Sequence, residues 1–430
     1  MLQPGTEVVL SVEKPAAGGR MIARHHGEVV LVSGTLPGEQ VRARIEQAGR
    51  GVVWASTIDV LEPSPDRRPV LGDPACGGQV YLHVAYERQL ALKAAVVADA
   101  FARIARLPLA AAVKVTPSPT AGYRMRARLH VRAGVIGFFR EGTHEMCDPA
   151  GTGQLLPDTT DLLARLSYRM RADHIDLVNA IELAENIPAT ERALHLQIDG
   201  PIPPEMCAAL LDELPVTGVA ASRSDRPDDV VLRGTPIVTD TLEIGGRAGS
   251  TCAPVFRRHV QSFFQANRFL VPALVSRVLA LVPPGPVVDL YAGVGLFAIS
   301  LAATGRSGVT AVEGDRTSAE DLRANAKPWG TALQAHAMPV EQFLRSQRPA
   351  PEATLIVDPP RTGMSRDASA GIIASGAARL VFVSCDVATL ARDVRKLVDA
   401  GYALEHLEAF DLFPNTAHVE AVAVLTRAGR

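Results

Sequence analysis

"GPVVDLYAGVGLFAISLAA", residues 285–303, reads as an apolar β-branched run, a glycine turn and an apolar helix. That succession opens a unit of parallel α/β structure. Gly293 and Gly295 leave the turn without side chains, so a ligand can approach its backbone closely. The next apolar run ends in Glu313, placed to accept hydrogen bonds from ribose hydroxyls. No basic residue immediately follows the glycines to meet a pyrophosphate, and no Walker lysine is present. An adenosine without phosphates, as in S-adenosylmethionine, therefore suits this turn better than NAD or ATP.

The same grammar of strands alternating with helices runs from about residue 251 to 430, as a parallel sheet requires. "ATLIVDPPRTG" (353–363) is an apolar strand ending in Asp358, and "ARLVFVSCD" (378–386) is a strand ending in Cys385. A cysteine within such a run would be a buried thiol filling space. Cys385 stands where the run stops, the edge at which open α/β sheets collect their active-site residues. "ALEHLEAFDLFPNTAHVEAVAVLTR" (403–427) closes the chain as two strands joined by a turn. If "HVEAVAVL" runs antiparallel to its neighbours, its start brings Glu420 towards Cys385. Alone, Glu420 would be an ordinary strand-end carboxylate.

Upstream, residues 1–61 alternate short Val/Ile/Leu runs with glycine turns, the spacing of a small β-barrel, and "PSPDRRP" (63–69) follows as a linker. Residues 62–250 mix a helical stretch, "YERQLALKAAVVADAFARIA" (86–105), with strand-like segments. In "YRMRARLHVR" (123–132), Arg124, Arg126, Arg128, His130 and Arg132 alternate with apolar residues, which predicts a strand with one cationic face. With no carboxylate interleaved, that face predicts contact with RNA phosphates, although a solvated surface is the alternative.

The net charge of −2 excludes a globally basic nucleic-acid binder, so any such surface must be local. Five cysteines at wide spacing argue against a disulfide framework and for a reducing cytosol. The start of the chain lacks a signal-peptide pattern, and Pro, Gly and Asp interrupt every long apolar stretch. These features predict a cytoplasmic protein with no membrane partner, expected to be a monomer.

"GTLPGEQVRARI" (34–45) with "PSPDRRP" resembles a TRAM domain, an OB-like barrel of RNA-modifying enzymes; a purely structural barrel would also account for these residues. "SFFQANRFL", "DLYAGVGLF", "AVEGD", "IVDPPRTGM", "VSCDVATLARD" and "HVEAVAVL" occur in that order. Together they resemble the RNA uracil-5-methyltransferases, which use S-adenosylmethionine to make 5-methyluridine in tRNA and rRNA. The resemblance implies an α/β fold: a Rossmann-like class I methyltransferase domain (251–430) with an N-terminal TRAM barrel and an α+β central domain. It also implies that Gln265, Tyr291, Glu313 and Asp358 contact the cofactor with Gly293 and Gly295, that Cys385 is the nucleophile and that Glu420 is the base.

The chemistry explains why a thiol is needed. Uracil C5 is a poor nucleophile until a thiolate adds to C6 and places electron density on C5. A base must afterwards remove the C5 proton so that the thiolate can leave. Cytosine-5-methyltransferases acting on RNA typically carry a cysteine after the Pro-Pro element, where Arg361 stands here, which favours uracil. The alternatives are a cytosine-C5 methyltransferase and an RNA-binding protein with a vestigial methyltransferase fold. Many relatives hold a [4Fe–4S] cluster on four cysteines. Here "PACGGQVYLH" (74–83) retains Cys76 but has Gln79 at a ligand position, and Cys147 matches the distal ligand. Two thiolates cannot make a Cys₄ site, so neither a cluster nor another metal is expected.

Overall fold

The structure, a computed structural model, describes residues 2–201, 211, 214–245 and 251–427. Strands Glu7–Pro15, Met21–His25, Glu28–Ser33, Gln40–Ala48 and Val52–Glu62 close into a barrel. The period-two pattern drives it, because Leu10, Val12, Val30, Val32, Val41 and Ile45 all point into one core. Arg42 and Arg44 face outwards and pair with Asp59 and Glu7. The two segments that carry the TRAM resemblance meet through Glu39. Its buried carboxylate accepts from Arg67 Nε and Nη2 (2.6 and 2.7 Å) and from the Ser64 and Leu36 N–H groups.

The central unit is a seven-stranded sheet backed by the helix Pro157–Ala172, whose Leu162, Leu166 and Met170 pack against Leu129, Leu183 and Leu194. Strand Arg126–Arg132 alternates buried and accessible residues as expected. Its cationic face is not free of carboxylates, however. Strand Val178–Glu185 pairs beside it and sets Glu182 opposite Arg128, 3.2 Å from Arg128 and 3.9 Å from Arg126. Arg124 precedes the strand and is only partly accessible; it donates to Gln154 Oε1 (2.8 Å) and to the Arg126 carbonyl. The expectation of an uninterrupted arginine face is therefore corrected. A cross-strand carboxylate is invisible in one strand's pattern, and Arg128 and Arg132 are the members left exposed.

The spacing of the cysteines argues against a disulfide framework, yet one bridge is present. Cys76 and Cys147 form a disulfide, S–S 2.10 Å, across 71 residues. Cys76 bridges to Arg140 and strand Met146–Cys147 pairs with Phe138 and Phe139, so the two cysteines that match cluster-ligand positions are brought side by side. Among the described residues, Cys252 and Cys385 are free. No helix among the described residues is long and apolar enough to cross a membrane.

The largest sheet has eight strands in the order Leu333–Ala337, Val309–Glu313, Val287–Leu290, Thr354–Val357, Arg379–Ser384, Glu420–Arg427, Tyr402–Phe410 and Val115–Thr116. The first five are parallel, and Glu420–Arg427 runs antiparallel to both its neighbours. Helices cover both faces, as buried parallel strands require. Leu274, Phe297 and Leu322 lie in the core of one face, and Phe343, Ile372 and Leu390 in that of the other.

The chain does not divide cleanly at residues 62 and 251. Helix Tyr86–Ala100 and its extension place Val97, Phe101 and Ala105 in the core of the second face, and Val115–Thr116 is the edge strand of the same sheet. At the other boundary, Ile237–Thr241 pairs with Val255–His259.

Candidate active site

Parallel strands bring their carboxyl ends to one edge, and here that edge carries Tyr291, Glu313, Asp358 and Cys385 in turn. After the first strand the backbone enters the left-handed region at Tyr291 (φ 61°), a conformation costly for an aromatic residue. It recurs at Gly293 (φ 56°) and Gly295 (φ 95°). A Cβ on Gly295 would lie 2.7 Å from Ile299 Cδ1 and 2.8 Å from Leu322 Cδ1, so only glycine lets the helix Leu296–Ala303 start there. A Cβ on Gly293 would instead fill the space 3.6 Å from the Phe263 carbonyl. Phe263, Gln265, Tyr291, Gly293 and Asp358 line the small pocket beneath that space.

Glu313 closes the turn from the next strand. One carboxylate oxygen accepts the Gly293 N–H (2.7 Å) and the other accepts the Asp315 N–H (2.7 Å). Each oxygen keeps a lone pair for a ribose hydroxyl. Gln265, in the segment before helix Val271–Leu281, donates to Asp358 Oδ2 at 3.3 Å. Of the residues named for the cofactor from sequence, Gln265, Tyr291, Gly293 and Asp358 line this pocket; Glu313 holds the Gly293 N–H beside it, and Gly295 starts the following helix.

Sequence reading passed over Asp289. It sits in the middle of the strand Val287–Leu290, fully buried; Oδ2 accepts the Ala298 N–H (3.0 Å), and Oδ1 has no partner. Burial, followed by the nearby Asp358 and Glu313, raises its pKa well above the usual carboxylate range. The signal was present as the one polar residue in "PVVDLY".

Cys385 follows the fifth strand, and Asp386 then caps the helix Val387–Asp399 by accepting the Thr389 N–H (2.8 Å). Ser384 pairs with Ala421 across the antiparallel neighbour. One residue further along each strand come Cys385 and Glu420, so the expected approach of thiol and carboxylate is met. Glu420 is 2% exposed, whereas Cys385 is half-buried.

Burial pushes the Cys385 thiol up to about 11, with the negative charge of Glu420 adding to the rise. Arg361 opposes both by its positive charge. Glu420 is itself raised well above the usual range by burial and then by Asp358, with Arg361 again pulling down. Burial also lifts Asp358, to about 7. The site is therefore a thiol and two carboxyl groups that resist ionising together, with Arg361 as the counterweight. Sequence reading used Arg361 only to choose between bases and missed this effect, because nothing local links residues 361 and 385.

The sign of these shifts gives a testable result. Below a thiol pKa of about 11, thiolate content and hence alkylation of Cys385 by iodoacetamide should rise about tenfold per pH unit between about pH 7 and pH 9. Arg361→Met removes the charge that favours thiolate, so the rate at a fixed pH should fall. Cys385→Ala supplies the background from the remaining cysteines. A rate that is level across this range would mean that the thiol is already ionised.

Comparison with known proteins places this geometry. A family model described as tRNA (Uracil-5-)-methyltransferase matches residues 350–428, and a TRAM domain model matches residues 2–57. The chain is 31% identical over 441 residues to the 23S rRNA (uracil(1939)-C(5))-methyltransferase RlmD of Pseudomonas putida, covering 98% of this chain and 94% of the relative. It is 31% identical over 450 residues to an uncharacterized RNA methyltransferase of Streptomyces coelicolor, covering 99% and 94%. Its fold is similar to that of the Pyrococcus abyssi tRNA (uracil-54, C5)-methyltransferase in complex with S-adenosyl-L-homocysteine, with a TM-score of 0.75, 24% identity and coverage of 97% and 99%. Related along almost its whole length to proteins of this kind, the chain belongs to the RNA uracil-C5-methyltransferase family of S-adenosylmethionine-dependent enzymes.

Proposed function

We propose that the protein methylates C5 of a uridine in RNA through a covalent bond from Cys385 to C6. The observation that carries this reading is the placement of Cys385 and Glu420 on adjoining strand ends, at the sheet edge that also bears the cofactor pocket. S-adenosylmethionine supplies a methyl group activated by positively charged sulfur. Gln265, Tyr291, Gly293, Gly295, Glu313 and Asp358 would hold it. Cys385, as thiolate, adds to C6 and makes C5 nucleophilic. Once C5 carries the methyl group, Glu420 takes its proton, the C5–C6 double bond re-forms and the thiolate leaves. The target base has to leave its stack to reach a half-buried thiol, which suits a loop or a locally opened strand.

The Pseudomonas relative is named for 23S rRNA, so that RNA is the first substrate to test. Mass mapping of 5-methyluridine in rRNA and tRNA from cells with and without the gene tests the reading. One uridine that loses its methyl group with the gene supports it; unchanged maps of both RNAs contradict it.

For RNA contact the exposed Arg128 and Arg132 replace the full arginine row as the proposed phosphate ligands. Reversing both to glutamate should weaken RNA binding and flatten its salt dependence by about two ion equivalents, while cofactor affinity holds. An unchanged slope would make that face merely solvated.

A further inference from the structure

The strand bearing Glu420 is launched from a turn, residues 411–418, held by segments remote in sequence. Each carbonyl from Leu412 to Asn415 meets a donor from elsewhere in the chain. Leu412 O accepts from Asn267 Nδ2 (3.0 Å), Phe413 O from Lys93 Nζ (3.0 Å), Pro414 O from the Tyr123 hydroxyl (3.4 Å) and Asn415 O from the Tyr81 N–H (2.8 Å). Asn415 is the centre of this arrangement. Its backbone is left-handed, φ 63°, a conformation asparagine tolerates better than most residues. Its N–H donates to Gln89 Oε1 (2.9 Å), while its Oδ1 accepts from Gln89 Nε2 (3.0 Å) and Arg68 Nη2 (2.9 Å).

Gln89 is 0% exposed, in the helix Tyr86–Ala100 that joins the barrel linker to the catalytic sheet. Lys93 lies four residues on, hence on the same helix face, and forms a buried ion pair with Asp411 at the start of the turn. A helix packed on a protein core ordinarily turns an apolar stripe inwards. Here two buried positions of that stripe are polar, and both address one turn.

What this turn feeds is the base. Glu420 is the first residue of its strand, five residues beyond Asn415, and Phe410 at the end of the neighbouring strand Tyr402–Phe410 is its register partner. Cys385 stands at the end of a different strand, fixed by parallel pairing on its other side. The two strands are paired to each other, but the turn continues directly into Glu420 and reaches Cys385 only through that pairing, so loosening the turn bears first on Glu420. We propose that Gln89, acting through Asn415, is a positioning residue that sets the Glu420 carboxylate for removal of the C5 proton. The proposal rests on the reading of Glu420 as the base. In that step the C5 proton passes to Glu420, the C–H electron pair becomes the C5–C6 double bond, and the Cys385 sulfur leaves C6 as thiolate.

The role predicts a step-selective defect, which a general loss of stability would not give. In single turnovers with S-adenosylmethionine and a 23S rRNA fragment, methyl incorporation and decay of the protein–RNA adduct are followed separately. Gln89→Leu and Asn415→Gly should each slow adduct decay by about tenfold or more, while methyl transfer stays within about threefold, the pattern of a misaligned base. Asn415→Gly keeps the left-handed backbone without strain, so it carries the test even if Gln89→Leu fails to fold. Asn415→Asp retains the acceptor for Gln89 and Arg68 and should restore decay to near the wild-type rate. Equal slowing of both steps by Asn415→Gly, or decay as fast as wild type, would overturn the proposal. A wild-type protein that transfers no methyl group would overturn the functional reading as well, and the two failures are thereby told apart.

Discussion

Glu420→Gln is expected to stop the reaction after methyl transfer, leaving the protein joined to a methylated RNA. Glutamine has nearly the same shape as glutamate but no basic carboxylate, so binding, addition and methylation remain open to the variant. Release requires the C5 proton to go somewhere, and a positioned general base contributes about 10²- to 10⁴-fold to such a step. The trapped species should appear as a slowly migrating band that survives denaturation, with turnover reduced by the same order. Normal turnover by Glu420→Gln would show that another group removes the proton. Asp358 would then be the next candidate, since burial lifts it to about 7.

Cys385→Ala should give neither methylated RNA nor the band, and adding it to Glu420→Gln should abolish the trapped species. Without the sulfur, C5 has no route to nucleophilic character, so the loss should reach the background rate. S-adenosylmethionine affinity should hold, because the cofactor pocket takes its residues from other strands. A band that persists without Cys385 would move the nucleophile elsewhere, and Cys252 is the other free thiol among the described residues.

The site was legible wherever its chemistry is local in sequence. Gly293, Gly295, Glu313, Asp358 and Cys385 each end or follow an apolar run, and parallel strands must bring such ends to one edge. Glu420 needed one more assumption, the antiparallel direction of the last strand, and the pairing of Ser384 with Ala421 satisfies it. What stayed hidden depends on contacts between remote segments. Glu182 breaks up the arginine face from the neighbouring strand, and the Cys76–Cys147 bridge closes across 71 residues. The helix Tyr86–Ala100 showed its apolar period, but nothing in that period says which sheet it covers. Gln89 and Lys93 interrupt it at a four-residue spacing, and that interruption was the available sign that this face meets a polar turn. Asp289 in an apolar strand was a sign of the same kind.

The central claim is that a uridine in RNA exchanges its C5 hydrogen for a methyl group, and tritium release measures that exchange directly. RNA carrying uridine tritiated at C5 is incubated with the purified protein and S-adenosylmethionine, and tritium in water is counted beside methyl groups in RNA. One tritium released for each methyl group gained, with both abolished by Cys385→Ala, is the predicted result. Methyl groups gained while the tritium stays on the RNA would place the modification at another atom and contradict the account.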